Sequence, residues 1–190
     1  MSAPTTPDSE FRFGLGHVAL DFVATLAGRF RSPHDRLATP ADLERWLRQA
    51  GILESVRCDE KDLGDARELR EAIYRLVDAG RAGASPTRKD LKLINRWARE
   101  PTPAPQVGPT LELVKSDAPF SAALSQLARS AADLVTGPGA RRVRNCADPT
   151  CSLLFIDHSR PGRRRWCSME RCGNKSKTAR YRHRHPRATA

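Results

Sequence analysis

Four cysteines in the last quarter of the sequence have the number and spacing of a metal site. They form two pairs with equal internal gaps, Cys146-x4-Cys151 and Cys167-x4-Cys172. A tetrahedral zinc ion is bound by four thiolates that two local turns bring together, and Asp148-Pro149 within the first pair favours a turn. The spacing therefore predicts that Cys146, Cys151, Cys167 and Cys172 bind one structural zinc ion.

Other uses of these cysteines fit the sequence less well. Their spacing matches neither of the common ferredoxin runs, and the His-x-Glu signature of the zinc deaminases is absent. A catalytic zinc ion keeps an open coordination position, whereas four thiolates close the sphere. His158, His183 and His185 could replace a ligand, but four cysteines already suffice, so we expect these histidines to face solvent or phosphate.

The same region carries the whole excess of positive charge. Residues 141–190 contain 14 Lys and Arg against 3 Asp and Glu, a net charge of +11, whereas residues 1–140 contain 19 of each kind. A neutral body with a basic end is typical of a protein that binds a polyanion such as nucleic acid. A solvated basic tail without a specific partner is the simpler alternative.

Short elements must hold the two cysteine pairs together. Residues 153–156 predict a strand, residues 159–162 a hairpin turn, and residues 164–167 the returning strand. After Cys172 the sequence favours a helix until Pro186. A knuckle, a hairpin and then a helix is the order of a treble-clef-like zinc finger.

The neutral part of the chain predicts a helical body. Apolar residues recur with helical spacing in four segments, near residues 40–50, 61–78, 86–98 and 118–135. Thr39-Pro40-Ala41-Asp42 has the residues of a helix N-terminus, Gly80 and Gly83 are expected to end the second helix, and Leu91 is predicted to face inward from the third.

The segments between these helices are less regular. Phe11 and Phe13 predict a short strand, and residues 18–26 form a buried segment whose periodicity fits either a helix or a strand. Residues 107–113 predict a short strand pair. Asp117 is a candidate N-cap for the last helix of the body.

Gly137-Pro138-Gly139 is the best candidate for a domain boundary. We therefore predict a mostly α-helical protein with short β-hairpins: residues 1–9 disordered, residues 10–139 a helical domain, residues 140–185 a small treble-clef-like zinc finger, and residues 186–190 a tail. No apolar run approaches the roughly 18 residues of a membrane span, and the N-terminus lacks a secretory signal. We expect a cytoplasmic protein. It is not expected to be an enzyme, because His17 and His34 lack a nucleophile or a metal partner set.

The segment CSLLFIDHSRPGRRRWCSMERCGNKSK resembles the CGNR zinc-finger family. The motifs that carry the resemblance are Phe155-x-Asp157-x-Ser159-Arg160, Arg164-Arg165-Trp166-Cys167-Ser168-Met169 and Cys172-Gly173-Asn174. Upstream, Asp21-Phe22-Val23-Ala24-Thr25 is similar to the family's Asp-Phe-Val-Asn-Thr. Lys175 and Ala24 depart from the family pattern, which has arginine and asparagine at these positions.

The resemblance implies a stress-induced bacterial transcription regulator whose finger follows a helical domain called ABATE. Three functions remain open: a regulator that binds duplex DNA while its body senses a ligand or forms a homodimer, an RNA- or ribosome-associated module, or a protein-interaction adaptor with a purely structural finger. The residues predicted to contact nucleic acid are Arg163, Arg164, Arg165, Lys175, Lys177, Arg180 and Arg184. Trp166 is predicted to pack beside the zinc ion.

Overall fold

The computed structural model describes residues 10–102, 106–111, 113–114 and 118–178. In these ranges the body contains the helices α1 (Val18–Val23), α2 (Pro40–Gln49), α3 (Glu60–Ala82), α4 (Arg88–Ala98) and α5 (Phe120–Thr136). The antiparallel strand pairs are β1 (Leu26–Ala27) with β2 (His34–Asp35), β3 (Gln106–Val107) with β4 (Leu113–Val114), and β5 (Val143–Asn145) with β6 (Leu154–Ile156). This confirms a mostly α-helical protein with short β-hairpins. No helix in the described ranges is long and apolar enough to cross a membrane.

The helix ends follow their local sequence signals. The Thr39 hydroxyl accepts a hydrogen bond from the Asp42 N–H, and the Asp42 carboxylate accepts one from the Thr39 N–H, which satisfies two donors at the start of α2. Asp59 caps α3 in the same reciprocal way. Of the two glycines expected to end α3, Gly80 lies within the helix. Gly83 is its C-cap, with a φ of 70° that glycine readily adopts and that stops a helix.

Two expectations about the body are wrong. Phe11 and Phe13 lie in an irregular segment, where side-chain packing holds them instead of a sheet: Phe13 stacks on Trp46 with 6.1 Å between ring centroids. Leu91 on α4 is 37% exposed. The neighbouring Asp90 is buried in its place, because its carboxylate accepts hydrogen bonds from Arg75.

The ambiguous segment at residues 18–26 is helical over α1, and the acid within it has a structural role. Asp21 accepts a hydrogen bond from the Leu15 N–H at 2.9 Å. Burial raises the pKa of Asp21. The last helix of the body begins at Phe120 after Pro119, and the predicted cap Asp117 lies outside the described residues.

The apolar core is continuous from the body into the finger. Helices α1, α3 and α5 pack on one another, and α4 packs on α3 and α5. Phe155 and Ile156 of β6 belong to the same buried cluster as these helices. The Ile156 N–H also donates to the Leu15 carbonyl at 2.8 Å, so the finger is joined to the body by a backbone hydrogen bond as well as by packing.

An ion-pair network fixes the β1–β2 hairpin on α3. The Arg70 guanidinium, 3% exposed, donates to both carboxylate oxygens of Asp35 at 2.6 and 2.8 Å and to Glu71 at 2.9 Å. Burial would raise the pKa of Asp35, but the hydrogen bonds and charge of Arg70, together with the Leu37 N–H and the charge of Arg67, lower the pKa below its ordinary value. Arg29 from the hairpin also pairs with Glu71 and lies 4.2 Å above the Tyr74 ring.

Candidate metal centre and basic surface

The four cysteines of the finger converge on one point. Their sulfur atoms all lie within 4.8 Å of one another, with 3.8 Å between Cys151 and Cys167 and 3.7 Å between Cys167 and Cys172. Zinc–sulfur bonds of about 2.3 Å in a tetrahedron place the sulfurs roughly 3.8 Å apart, whereas a disulfide needs about 2.05 Å. Cys146, Cys151, Cys167 and Cys172 therefore fit one structural zinc ion and leave no ligand position open.

The first cysteine pair is held by the loop between β5 and β6. Cys146 follows β5, and its N–H donates to the Leu153 carbonyl at 3.0 Å. The Asp148 carbonyl accepts from the Cys151 N–H at 2.9 Å, and the Asp148 carboxylate accepts from the Thr150 N–H at 2.9 Å. The turn predicted from Asp148-Pro149 is thus confirmed.

The second pair lies at the start of the C-terminal helix. Cys167 precedes a π-helical turn, Met169–Gly173, which contains Cys172 and continues as a helix over residues 174–178. The wider π turn accommodates the four-residue gap of this pair. The Cys167 N–H donates to the Cys146 sulfur, with 3.5 Å between the nitrogen and the sulfur.

The strand pairing of the finger differs from the predicted one. β6 pairs with β5, which precedes Cys146, so the first knuckle is itself the hairpin loop. Residues 164–167, predicted to be the returning strand, form no strand. The Asp157 carboxylate closes this loop instead, by accepting from the Ser159 N–H and hydroxyl at 2.9 and 2.6 Å and from the Arg164 N–H at 2.9 Å. The Ser159 hydroxyl is the main cause of the lowered pKa of Asp157.

Asp148 and Asp157, which the sequence marked only as part of a turn and of the family motif, both have a structural role in the finger. A hydroxyl residue follows each aspartate two positions later: Thr150 follows Asp148, and Ser159 follows Asp157. The N–H and O–H of that residue both donate to the aspartate carboxylate. An Asp whose carboxylate bonds the backbone two residues on forms an Asx turn. The Asp-x-Ser/Thr pattern on both sides of β6 was the available signal.

Lys175 joins the helix after Cys172 to the first knuckle. Its ammonium donates to the Thr150 hydroxyl at 2.5 Å and lies 3.4 Å from the Asp148 carboxylate. Burial would raise the pKa of Asp148, but the hydrogen bonds from Thr150 and the charge of Lys175 lower it. Lys175, predicted to contact nucleic acid, is thus turned towards the protein although its side chain is 61% exposed.

The other predicted nucleic-acid contacts differ in their surroundings. Arg164 is turned inward, because its guanidinium donates to the carbonyls of Trp166 and Cys167. Besides Lys175, the exposed members of the set among the described residues are Arg163, Arg165 and Lys177. Arg180 and Arg184 lie outside the described residues.

Further exposed arginines lie on the finger and were not singled out from the sequence. Arg141 and Arg142 are in a 3-10 turn, Ala140–Arg142, and Arg144 is on β5. The buried Val143 separates Arg142 from Arg144, so this alternation was the signal that could have identified them.

Trp166 and His158 have the ordinary roles that were expected of them, and the fifth cysteine, Cys58, is a partly buried thiol. Trp166 packs against the apolar cluster. His158 is exposed and is not a member of the cysteine group. Burial raises the pKa of the Cys58 thiol to about 12, with smaller contributions from nearby carboxylates, so this thiol stays protonated at neutral pH.

Comparison with protein families covers both parts of the chain. Residues 16–138 match the ABATE family, described as "Putative stress-induced transcription regulator". The chain belongs to the ABATE family. Residues 142–185 of this ABATE protein match the CGNR zinc finger, which confirms the resemblance seen in the cysteine motifs. Comparison with curated proteins gives no match.

The two departures from the family pattern lie in defined surroundings in this ABATE protein. Ala24 is 1% exposed and its carbonyl accepts from Arg36 at 3.2 Å, so its side chain is part of the core. Lys175 reaches the first knuckle with a single ammonium group, where an arginine would offer a planar fork.

Proposed function

We propose that this ABATE protein is a transcription regulator whose zinc finger contacts duplex DNA, while its body senses a ligand or joins two copies into a homodimer. One observation carries the proposal: the net charge of +11 is confined to residues 141–190, the segment that also contains all four zinc ligands. A basic surface on a rigid scaffold is what phosphate contacts require.

The zinc centre would serve as that scaffold. Asp157 fixes the loop that ends at Arg164, and Arg164 itself is bound to main-chain carbonyls. The exposed Arg163 and Arg165 therefore lie on a backbone whose conformation is set on both sides, and the Arg165 guanidinium lies 5.1 Å from the centre of the Trp166 ring. We propose that these two arginines contact phosphates and that the exposed Lys177 contributes from the helix after Cys172.

The surrounding arginines would widen this surface. Arg141, Arg142 and Arg144 are exposed on the backbone that leads into Cys146, and phosphate contacts along such a surface fix the orientation of the protein on DNA. The proposed activity is binding and not catalysis, because four thiolates close the coordination sphere of the zinc ion.

The proposal is tested by fluorescence anisotropy with zinc-loaded, full-length protein and a labelled DNA duplex. Unlabelled duplex DNA should compete better than single-stranded RNA of equal length. The double variant Arg163→Ala/Arg165→Ala should bind several-fold more weakly. Arg48→Ala/Arg57→Ala is the matched control, since it removes the same charge from exposed positions on the body and should bind as the wild type does.

Each other outcome assigns a different function. Stronger competition by RNA would replace the proposal with an RNA- or ribosome-associated module. Absence of binding to both nucleic acids at low salt would leave a protein-interaction adaptor with a structural finger. Equal reductions in affinity for the finger and control variants would show that only total charge matters, which contradicts a defined binding surface.

A further inference from the structure

A cleft of about 300 Å³ opens between the body and the zinc finger. The finger contributes residues from both cysteine pairs, and the body contributes Arg12, Phe13, Leu15, Ala27, Gly28 and Arg36. Its volume is at the lower end of the range for small-molecule sites, roughly 300–1,000 Å³. A molecule bound there would touch both parts of the protein at once.

The walls of this cleft are predominantly basic. Its charged lining residues are Arg12, Arg36, Arg171, Lys175 and Asp148. Asp148 is the one carboxylate among them, and it already lies 3.4 Å from the ammonium of Lys175. Arg36 is only 6% exposed, so its charge is held within the protein. The balance of charge favours an anionic ligand.

A carboxylate of the chain itself shows how an anion can be held at the edge of this cleft. One oxygen of Glu10 lies 3.2 Å from Arg12 of the body and 2.8 Å from Arg171 of the finger. The Glu10 side chain is 68% exposed, and exposed ion pairs contribute only about 0–1 kcal/mol. Glu10 can therefore be displaced at little cost by a better-fitting carboxylate.

The cleft also offers an apolar surface beside these arginines. Phe13 is 41% exposed and lines the cleft with Leu15 and Leu153. The Phe13 ring is backed by Trp46 at 6.1 Å and an interplanar angle of 19°, so its position is supported from behind. A flat apolar group can stack on a ring held in this way.

We infer that this cleft binds a small aromatic carboxylate, whose carboxylate displaces Glu10 between Arg12 and Arg171 and whose ring packs on Phe13. The ligand bridges the body and the finger and so stabilises the contact between them. The inference names the binding site and the chemical class of the ligand that the body was proposed to sense. Its role in regulation rests on that proposed function. Ligand binding itself is measured without DNA, so its failure and the failure of DNA binding are separate results.

The test is isothermal titration calorimetry of the zinc-loaded, full-length protein with benzoate, and with benzamide as the neutral probe of the same shape. Benzoate should bind saturably at one site, and benzamide should bind at least about tenfold more weakly, because a hydrogen bond to a charged partner contributes about 1.5–3 kcal/mol. Equal binding of the two probes would overturn the inference, as would the absence of saturation by benzoate up to about 20 mM.

Variants separate this site from general attraction of anions. Glu10→Gln removes the competing carboxylate and should tighten benzoate binding about twofold to fivefold. Arg171→Ala should weaken it at least about tenfold, with zinc content and far-UV circular dichroism unchanged, since the Arg171 side chain is 45% exposed. Arg160→Ala, an exposed arginine outside the lining, is the matched control and should have no effect. Equal affinity of the Arg171 and Arg160 variants, or weaker binding by Glu10→Gln, would refute the site.

Discussion

Replacing Ile156 by alanine should destabilise the body and the finger together. The side chain is 3% exposed, and it packs beside Gly16 and, with Leu134, beside Gly139. The change removes three carbon atoms, about 2.4 kcal/mol of transfer free energy, and the cavity left behind raises the expected cost to about 3–4 kcal/mol. This is a large part of an ordinary unfolding free energy of about 5–15 kcal/mol.

The assay is urea unfolding followed in parallel by far-UV circular dichroism, which reports the helices, and by a colorimetric chelator, which reports zinc release. In the wild type the two transitions should coincide, and Ile156→Ala should move both midpoints by the same amount. Leu91→Ala is the control, because Leu91 is 37% exposed on α4 and its truncation should cost within about 0.5 kcal/mol. Zinc release at lower urea with an unchanged helical midpoint would refute a shared core.

Three further predictions concern single side chains. The folded protein lowers the pKa of Asp35 from its ordinary value of 3.8. The ionised Asp35 therefore stabilises the fold above pH 3.8, and this stabilisation is lost as the pH falls through the folded-state pKa. Urea titrations should show this decrease in the wild type and not in Asp35→Asn. Lys175→Ala should weaken zinc retention by at most about 1 kcal/mol, as for an exposed ion pair, and should leave the affinity for duplex DNA unchanged. A loss of affinity as large as that of Arg163→Ala/Arg165→Ala would show that the Lys175 ammonium contacts DNA. Cys58, whose pKa is raised to about 12, should be alkylated by iodoacetamide at pH 8 far more slowly than a free thiol in a short peptide, as mass spectrometry would show; equal rates would contradict its burial.

Local chemistry made much of the body predictable. Thr39 and Asp42 mark the start of α2 within four residues of sequence, and Gly51, with φ of 68°, follows its end. Leu91 shows the limit of periodicity. Helical spacing predicts that Leu91 faces inward, but its neighbour Asp90 is buried instead, because Asp90 pairs with Arg75 on another helix. Such a pairing joins residues distant in sequence, and a pattern along one helix does not reveal it.

The zinc ligands were predictable for the same local reason, since two equally spaced pairs of cysteines define the site. The strand partner of β6 was not predictable from the sequence. Residues 143–145, which precede Cys146, and residues 164–167, which include Cys167, both have residue types that are compatible with a strand. The choice depends on Asp157, which binds the Arg164 N–H and closes its loop locally. The orientation of Lys175 likewise depends on Thr150, twenty-five residues earlier in the chain.

The salt dependence of duplex DNA affinity tests the central claim most directly. If the finger engages about 4–7 phosphates, the slope of log K against log salt concentration should be about −4 to −6. Arg163→Ala/Arg165→Ala should flatten this slope by roughly two units, about 0.9 for each phosphate that is no longer neutralised, and the control Arg48→Ala/Arg57→Ala should keep the wild-type slope. A wild-type slope near zero, or one that the finger variant leaves unchanged, would contradict DNA binding through the exposed arginines of the zinc finger.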